Sequence, residues 1–181
     1  MGLTLISSHT ASSDATLDIT SGIDSTYNEY QFQLVNMHPA TDSVWLTFQV
    51  NATDDAGGGY DTSQITSTYF RAYHYENDSA TALEYQTSSD QANGTAYQRI
   101  STNAGNDNDQ SVSGVLTLYD PSSTTFVKHF VARSVHPQNG DEARDMHVAG
   151  YINTTSAIDE ISFRTNTGNI DAGTIKMFGV S

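Results

Sequence analysis

The feature that most constrains this chain is the alternation of apolar and polar residues with a period of two along most of its length. Residues 44–50, for example, place Val44, Leu46 and Phe48 on one side of an extended segment and Trp45 on the other. A period of two is that of a β-strand with one buried face, whereas an amphipathic helix repeats every ~3.6 residues. No segment keeps a helical apolar stripe over about three turns, so the chain is predicted to be all-β.

About eleven segments have this character, and stretches rich in Gly, Asn, Asp and Ser separate them, as expected for turns. The predicted strands are 3–8, 15–20, 29–34, 44–50, 65–75, 97–101, 112–119, 125–135, 146–152, 158–164 and 174–180. Short strands joined by turns are typical of an antiparallel β-sandwich, and this many strands favours a jelly-roll-like arrangement. Residues 76–96 lack the pattern and are expected to form a long surface loop or to contain one short helix. Residues 1–181 are expected to form one domain.

The charge of the chain excludes several classes of partner. Its 181 residues include 21 acidic and 7 basic ones, which gives a net charge of −14. Such a surface repels the phosphates of nucleic acids and of anionic lipids. No apolar run approaches the ~20 residues that a membrane-spanning helix needs. Neither nucleic acid nor a membrane is therefore an expected partner.

The chain carries no signature of catalysis. It contains no Cys, which excludes thiolate nucleophiles and thiolate metal sites. Its six His include no pair at the HxH or HxxxH spacing of many zinc sites. There is no Gly-x-Ser-x-Gly motif, and with 21 acids a pair of carboxylates is always nominally available and identifies nothing. The protein is therefore predicted not to be an enzyme.

Two acidic loops are candidates for a weak calcium site, the one cofactor that the sequence suggests. Asp54, Asp55 and Asp61 flank a run of three glycines, and Asp107 and Asp109 lie in a loop between predicted strands. Calcium takes several oxygen ligands from flexible loops, although neither loop has the EF-hand pattern. The alternative is a solvated turn whose Asp and Asn side chains bond to their own backbone.

Aromatic residues mark a candidate interface. Tyr69, Arg71, Tyr73 and Tyr75 share one side of a predicted strand whose other side also carries an aromatic ring, and Trp45 points outward on its own strand. A strand that is apolar on both sides is often buried between sheets or against another subunit. These five residues are therefore predicted to contribute to a subunit interface. A sugar-binding face, on which Tyr and Trp rings stack, is the alternative.

Several phrases in the sequence resemble a known family. They are residues 10–16 (TASSDAT), 22–30 (GIDSTYNEY), 36–42 (NMHPATD), 121–130 (PSSTTFVKHF), 150–155 (GYINTT) and 173–180 (GTIKMFGV). Together they resemble a family of virion structural proteins from marine tailed phages, including phages of cyanobacteria. The similarity extends over nearly the whole chain and in the same order.

The resemblance implies a β-sandwich displayed on a virus particle, and it brings no catalytic motif. A short chain of this family is expected to be a capsid decoration or cement protein at the virion surface. It would assemble as a homotrimer and bind the major capsid protein, thereby stabilising the head. The alternative is a receptor- or carbohydrate-binding module of a tail or head fibre, with a host-surface glycan as its partner.

Overall fold

The structure is a computed structural model that describes residues 2–53, 60 and 63–181. Twelve strands form two antiparallel sheets, and the described residues contain no helix. The strands are β1 (Leu3–Thr10), β2 (Leu17–Ile19), β3 (Glu29–Pro39), β4 (Leu46–Ala52), β5 (Ile65–Tyr75), β6 (Thr81–Tyr85), β7 (Gln98–Arg99), β8 (Val112–Tyr119), β9 (Lys128–Gln138), β10 (Glu142–Ile152), β11 (Ile158–Thr165) and β12 (Ile170–Val180).

The two sheets differ in width. The larger has eight strands in the order β1-β12-β3-β8-β9-β10-β5-β6, and the smaller has four in the order β2-β11-β4-β7. Every pairing between neighbouring strands is antiparallel. The predicted all-β, antiparallel, sandwich-like fold is therefore confirmed.

Aromatic residues from both sheets meet in a shared core. Phe32 of the larger sheet lies 5.9 Å from Phe163 of the smaller one, and Phe130 lies 5.1 Å from Phe48, as measured between ring centroids. All four rings are almost fully buried. Burying such a side chain stabilises the folded state by roughly 2–3 kcal/mol, and each aromatic pair adds about 1 kcal/mol. These contacts fasten the two sheets together.

Two predicted segments are corrected by the structure. Residues 76–96 contain no helix; instead β6 pairs with β5 and becomes an edge of the larger sheet. Strands β9 and β10 are also longer than predicted, because β9 continues to Gln138 and β10 begins at Glu142. At the tip of their hairpin the inward positions are polar, so the expected apolar alternation is lost there although the backbone pairing continues.

Polar side chains fill the space that the smaller sheet leaves open. Residues 91–102, a mostly irregular segment that includes β7, bond to inward side chains of β5, β9 and β10. The Ser134 hydroxyl donates to the Ile100 carbonyl at 2.7 Å, and the Ser67 hydroxyl donates to the Gln98 side chain at 2.7 Å. A buried backbone group without a partner is costly. Ser134 supplies a donor to the Ile100 carbonyl, and the Ser67 hydroxyl accepts from the Gln91 backbone N–H at 3.0 Å, so both hydroxyls allow an irregular segment to lie against the core.

We expect Gly150→Ala to destabilise the fold, because β10 approaches β5 too closely there for a Cβ atom. That atom would overlap the Thr66 carbonyl oxygen and would lie 2.9 Å from Cα of Ser67. Overpacking of this kind costs about 2 kcal/mol, which corresponds to a fall of roughly 5 °C in Tm, measured by calorimetry. Ala149→Ser, at the exposed neighbouring position, is the control and is expected to leave Tm unchanged. An equal Tm for both variants would contradict this packing.

Candidate interaction surface

The tyrosine side of β5 faces inward, which corrects part of the predicted interface. Tyr69 is fully buried in the core, so it is not available to a partner of the folded domain. Arg71, Tyr73 and Tyr75 follow on the same side and are half-buried. The Arg71 guanidinium lies 2.6 Å from the Glu84 carboxylate and 5.1 Å from the centroid of the Tyr73 ring. These side chains are thus largely engaged within the domain.

The hydroxyl groups on this side are perturbed by their surroundings. Burial raises the pKa of Tyr69 well above its usual range. A hydrogen bond to Glu142 raises the pKa of Tyr75, because ionised Tyr75 would place a second negative charge beside the carboxylate. Both phenols therefore stay protonated at neutral pH. They serve as neutral polar groups of the structure.

The exposed apolar side chains lie on the opposite, outward side of the larger sheet. We call the outward side of β8, β9, β10, β5 and β6 the outer apolar face. Its most exposed members are Leu83 at 72 %, Tyr85 at 50 %, Val135 at 48 %, Val131 at 47 % and Phe70 at 40 %. No other element covers them in the described part of the chain. Exposed apolar side chains that are grouped on one side of a sheet make this face a candidate for interaction.

The outer apolar face carries almost no net charge. Among the five strands that form it, the single outward acid is Asp145, and Arg133 pairs with it through two bonds of 2.9 and 2.7 Å. The hydrogen bond from Arg133 lowers the pKa of Asp145. The Phe70 ring stacks parallel to the His147 ring at 4.8 Å. This surface therefore has little net charge, although the chain as a whole carries −14.

A shallow depression of about 700 Å³ lies at one end of this face. Its lining includes the small or apolar side chains Ala72, Val135, Pro137 and Ala143, and also titratable residues: His74, Glu76, His136, Arg144 and Asp145. The lining therefore combines small apolar side chains with the Arg133–Asp145 ion pair at Asp145 and a second acid, Glu76.

Trp45 points away from the core, as predicted, but it is covered by an arginine that the sequence analysis did not identify. The Arg99 guanidinium lies 3.3 Å above the centroid of the Trp45 ring, and Arg164 lies 3.7 Å above the Tyr97 ring. Arg99 and Arg164 are register partners of Thr47 on its two sides, so both stacks lie on the outward side of the smaller sheet. Separation in sequence hides this cluster, which only strand pairing assembles.

The predicted calcium ligands are not brought together among the described residues. Asp54, Asp55 and Asp61 lie outside the described residues. Asp107 and Asp109 are exposed, and the Asp107 carbonyl accepts a bond from the Gln110 amide at 2.8 Å, as in a turn. Within residues 2–53, 60 and 63–181, no three His, Asp or Glu side chains converge on a point that would hold a metal ion. Calcium binding stays a prediction.

A buried ionic cluster lies beneath the tip of the β9–β10 hairpin, where the period-two pattern indicated nothing. Arg144 Nε donates to Glu142 Oε1 at 2.5 Å, and Arg144 Nη1 donates to the Thr102 carbonyl at 3.0 Å. His136 Nε2 lies 2.8 Å from the same carbonyl. Burial lowers the pKa of His136 to about 4, so its imidazole is neutral at pH 7. Polar residues at consecutive inward positions of one hairpin are the signal that would have revealed this cluster.

Comparison with known proteins adds no family assignment. No protein-family model, curated protein or solved structure matches the chain. None of the described segments forms a helix that is long and apolar enough to cross a membrane. The resemblance to virion proteins of marine phages therefore stays a prediction.

We expect His136→Gln to reduce the acid sensitivity of the fold. The folded state holds His136 neutral, with a pKa of about 4 against 6.5 in the unfolded chain, so protons favour unfolding. This share of the stability is complete above pH 6.5 and is lost as the pH falls towards 4. Between pH 7 and 4.5, urea unfolding should lose about 2 kcal/mol less in the variant than in the wild type. The exposed His129→Gln is the control, and a wild-type pH profile for His136→Gln would contradict the assignment.

Proposed function

We propose that the protein is a structural protein of a phage virion. In this proposal it is a homotrimeric decoration or cement protein at the capsid surface, which binds the major capsid protein and stabilises the head without catalysing a reaction. The observation that carries the proposal is the outer apolar face, which is exposed and nearly uncharged on an otherwise acidic protein. The family resemblance of the sequence supplies the virion context.

Charge supports association through this face rather than through another. Two copies that each carry −14 repel one another unless they meet where acids are scarce. The only outward acid of the five strands, Asp145, is already neutralised by Arg133. Burying apolar surface there contributes about 25 cal/mol per Å², with little opposing repulsion. At the ionic strength of seawater the Debye length is about 4 Å, which weakens the remaining repulsion further.

The placement of the titratable groups supports a structural assignment. The strongly perturbed His136 and the Glu142–Arg144 pair lie beneath a hairpin inside the core. They are bonded to backbone carbonyls and to one another, which is the arrangement expected of groups that hold a segment in place. His136 and Arg144 also border the depression on the outer apolar face, but both residues are almost fully buried, whereas a catalytic acid or base would present its titratable atoms to a substrate.

The strand order supports the finer proposal that the sandwich is a jelly roll with an extended sheet. β1, β12, β3 and β8 form one four-stranded layer, and β2, β11, β4 and β7 form the other. The chain passes repeatedly between these layers, as in the eight-stranded double-layered arrangement of that fold. β9, β10, β5 and β6 then widen the first layer, and they carry most of the outer apolar face.

We expect the purified protein to form trimers at micromolar concentration and Val131→Glu to dissociate them. The substitution places a charge in the middle of the outer apolar face, where Val131 is 47 % exposed, so that folding is preserved while association is opposed. Light scattering coupled to size-exclusion chromatography measures the mass. Thr20→Glu, an equal charge at an exposed position beside the smaller sheet, is the control and should remain trimeric. A monomeric wild-type protein would refute the proposal.

The alternative function, binding of a receptor or a carbohydrate, is favoured by one specific feature. Arg164 is held against the Tyr97 ring, and none of its guanidinium N–H groups has an acceptor among the described residues. Arg164 is an exposed residue, and a guanidinium that stacking holds at the surface matches the carboxylate of an acidic sugar. In this alternative, the smaller sheet and Trp45 form the ligand face.

A glycan array that contains acidic and neutral sugars tests the alternative directly. If it is correct, the wild-type protein binds carboxylate-bearing glycans, and Arg164→Ala weakens binding at least about tenfold through loss of a charge-assisted pair. Trp45→Ala should weaken binding as well. Arg133→Ala, at the exposed arginine of the other sheet, is the control and should bind like the wild type. No signal from the wild type across the array would refute this function.

A further inference from the structure

We infer that the copies of this chain associate head to tail, with the loop that carries Phe126 of one copy inserted into the depression on the outer apolar face of the next. This inference rests on the proposed homo-oligomeric function and specifies its contact. Two features that lie far apart on the same molecule carry it: a projecting phenylalanine and a concave apolar surface.

Phe126 is the projecting feature. It lies in the loop between β8 and β9 and is 67 % exposed, which makes it the most exposed phenylalanine among the described residues. Exposure of this ring to water is unfavourable in a free monomer, since burying such a side chain removes roughly 150–250 Å² of surface from water. A ring in this position is therefore suited to act as an anchor in an interface.

The loop that presents Phe126 is held in its conformation before any partner arrives. The Ser123 hydroxyl accepts bonds from the backbone N–H groups of Thr125 at 3.3 Å and of Phe126 at 3.1 Å. The ammonium group of Lys128 donates to the Phe126 carbonyl at 3.0 Å. Residues 122–127 carry no charge. A preorganised loop loses little entropy when it binds, which leaves more of the apolar gain for affinity.

The depression is the complementary feature. Its volume of about 700 Å³ is ample for a phenyl ring and part of its loop. Ala72 and Ala143 leave space at its floor, and Val135 and Pro137 offer apolar contact. Two acids line the depression: Asp145, which is paired with Arg133, and Glu76, which is exposed. Because residues 122–127 carry no charge, this loop adds no like charge to that surface and meets less repulsion there than an acidic segment of the chain would.

The position of the two features along one strand makes the association head to tail. Phe126 precedes β9, whereas Val135 and Pro137 lie close to its far end. Nine residues of extended chain span roughly 30 Å, so the ring of one copy does not reach its own depression. Each copy then offers one projection and one depression to different neighbours. Such a heterologous contact closes into a ring when the rotation between copies divides a full turn, and three copies make a trimer.

Two substitutions, one on each side of the proposed contact, test the inference. Phe126→Glu removes the projecting ring, and Val135→Glu places a charge in the depression. Because both positions are exposed, the variants are expected to fold with the circular dichroism and Tm of the wild type. Each variant alone should give a mass threefold below that of the wild-type trimer in light scattering. An equimolar mixture should form a dimer and no trimer, because one intact projection then meets one intact depression.

The outcomes separate this inference from the proposed function. A monomeric wild-type protein defeats both. A wild-type trimer whose Phe126→Glu variant is also trimeric leaves the homo-oligomer standing and overturns the contact proposed here. Monomeric single variants whose mixture also stays monomeric overturn the head-to-tail arrangement. Thr20→Glu, which lies away from both features, should remain trimeric throughout and shows that an added charge alone does not dissociate the protein.

Discussion

The unequal width of the two sheets is the constraint on which the rest of the structure depends. Four strands do not cover eight, so the inner faces of β5, β9 and β10 meet the irregular segment 91–102 in place of a sheet. The backbone of that segment needs donors, and Ser134, His136 and Arg144 supply them at the Ile100 and Thr102 carbonyls. Glu142 balances the charge that Arg144 brings inside. Each unmet buried group would cost about 1–3 kcal/mol, so this polar lining is a condition of the fold.

The outward sides of the two sheets also differ in how far other side chains of the domain cover them. On the smaller sheet, Thr47 is buried between its register partners Arg99 and Arg164, which stack on Trp45 and Tyr97. Gln49 is buried where its side-chain amide donates to the carbonyls of Ser63, Thr95 and Ala96. The larger sheet has no such cover, and its valines, Phe70 and Leu83 are left facing solvent. One outward surface is thus largely completed by the domain itself, while the other is completed by a neighbour in the assembly we propose.

The distribution of charge fits this division. Among the described residues, Asp145 is the one acid on the outward sides of the five strands that form the outer apolar face, and it is paired with Arg133. The other described acids lie in loops, on other strands or on inward sides, so repulsion between copies is weakest at this broad face. Electrostatics and the hydrophobic effect consequently favour the same orientation of neighbours.

The sequence alone determined that the chain is all-β and which side of the regular strands is buried. Leu46 and Phe48 face the core, and Trp45 faces outward, because successive side chains on a strand point to opposite sides. The sequence did not determine which side of β5 is buried, because Tyr69 and Phe70, on opposite sides, are both aromatic. Nor did it indicate the inward polar positions of β9 and β10. Tertiary structure determined both features. Alternation only defines the two sides of a strand, whereas the width of the opposing layer determines which side is covered and whether a sheet or an irregular segment covers it.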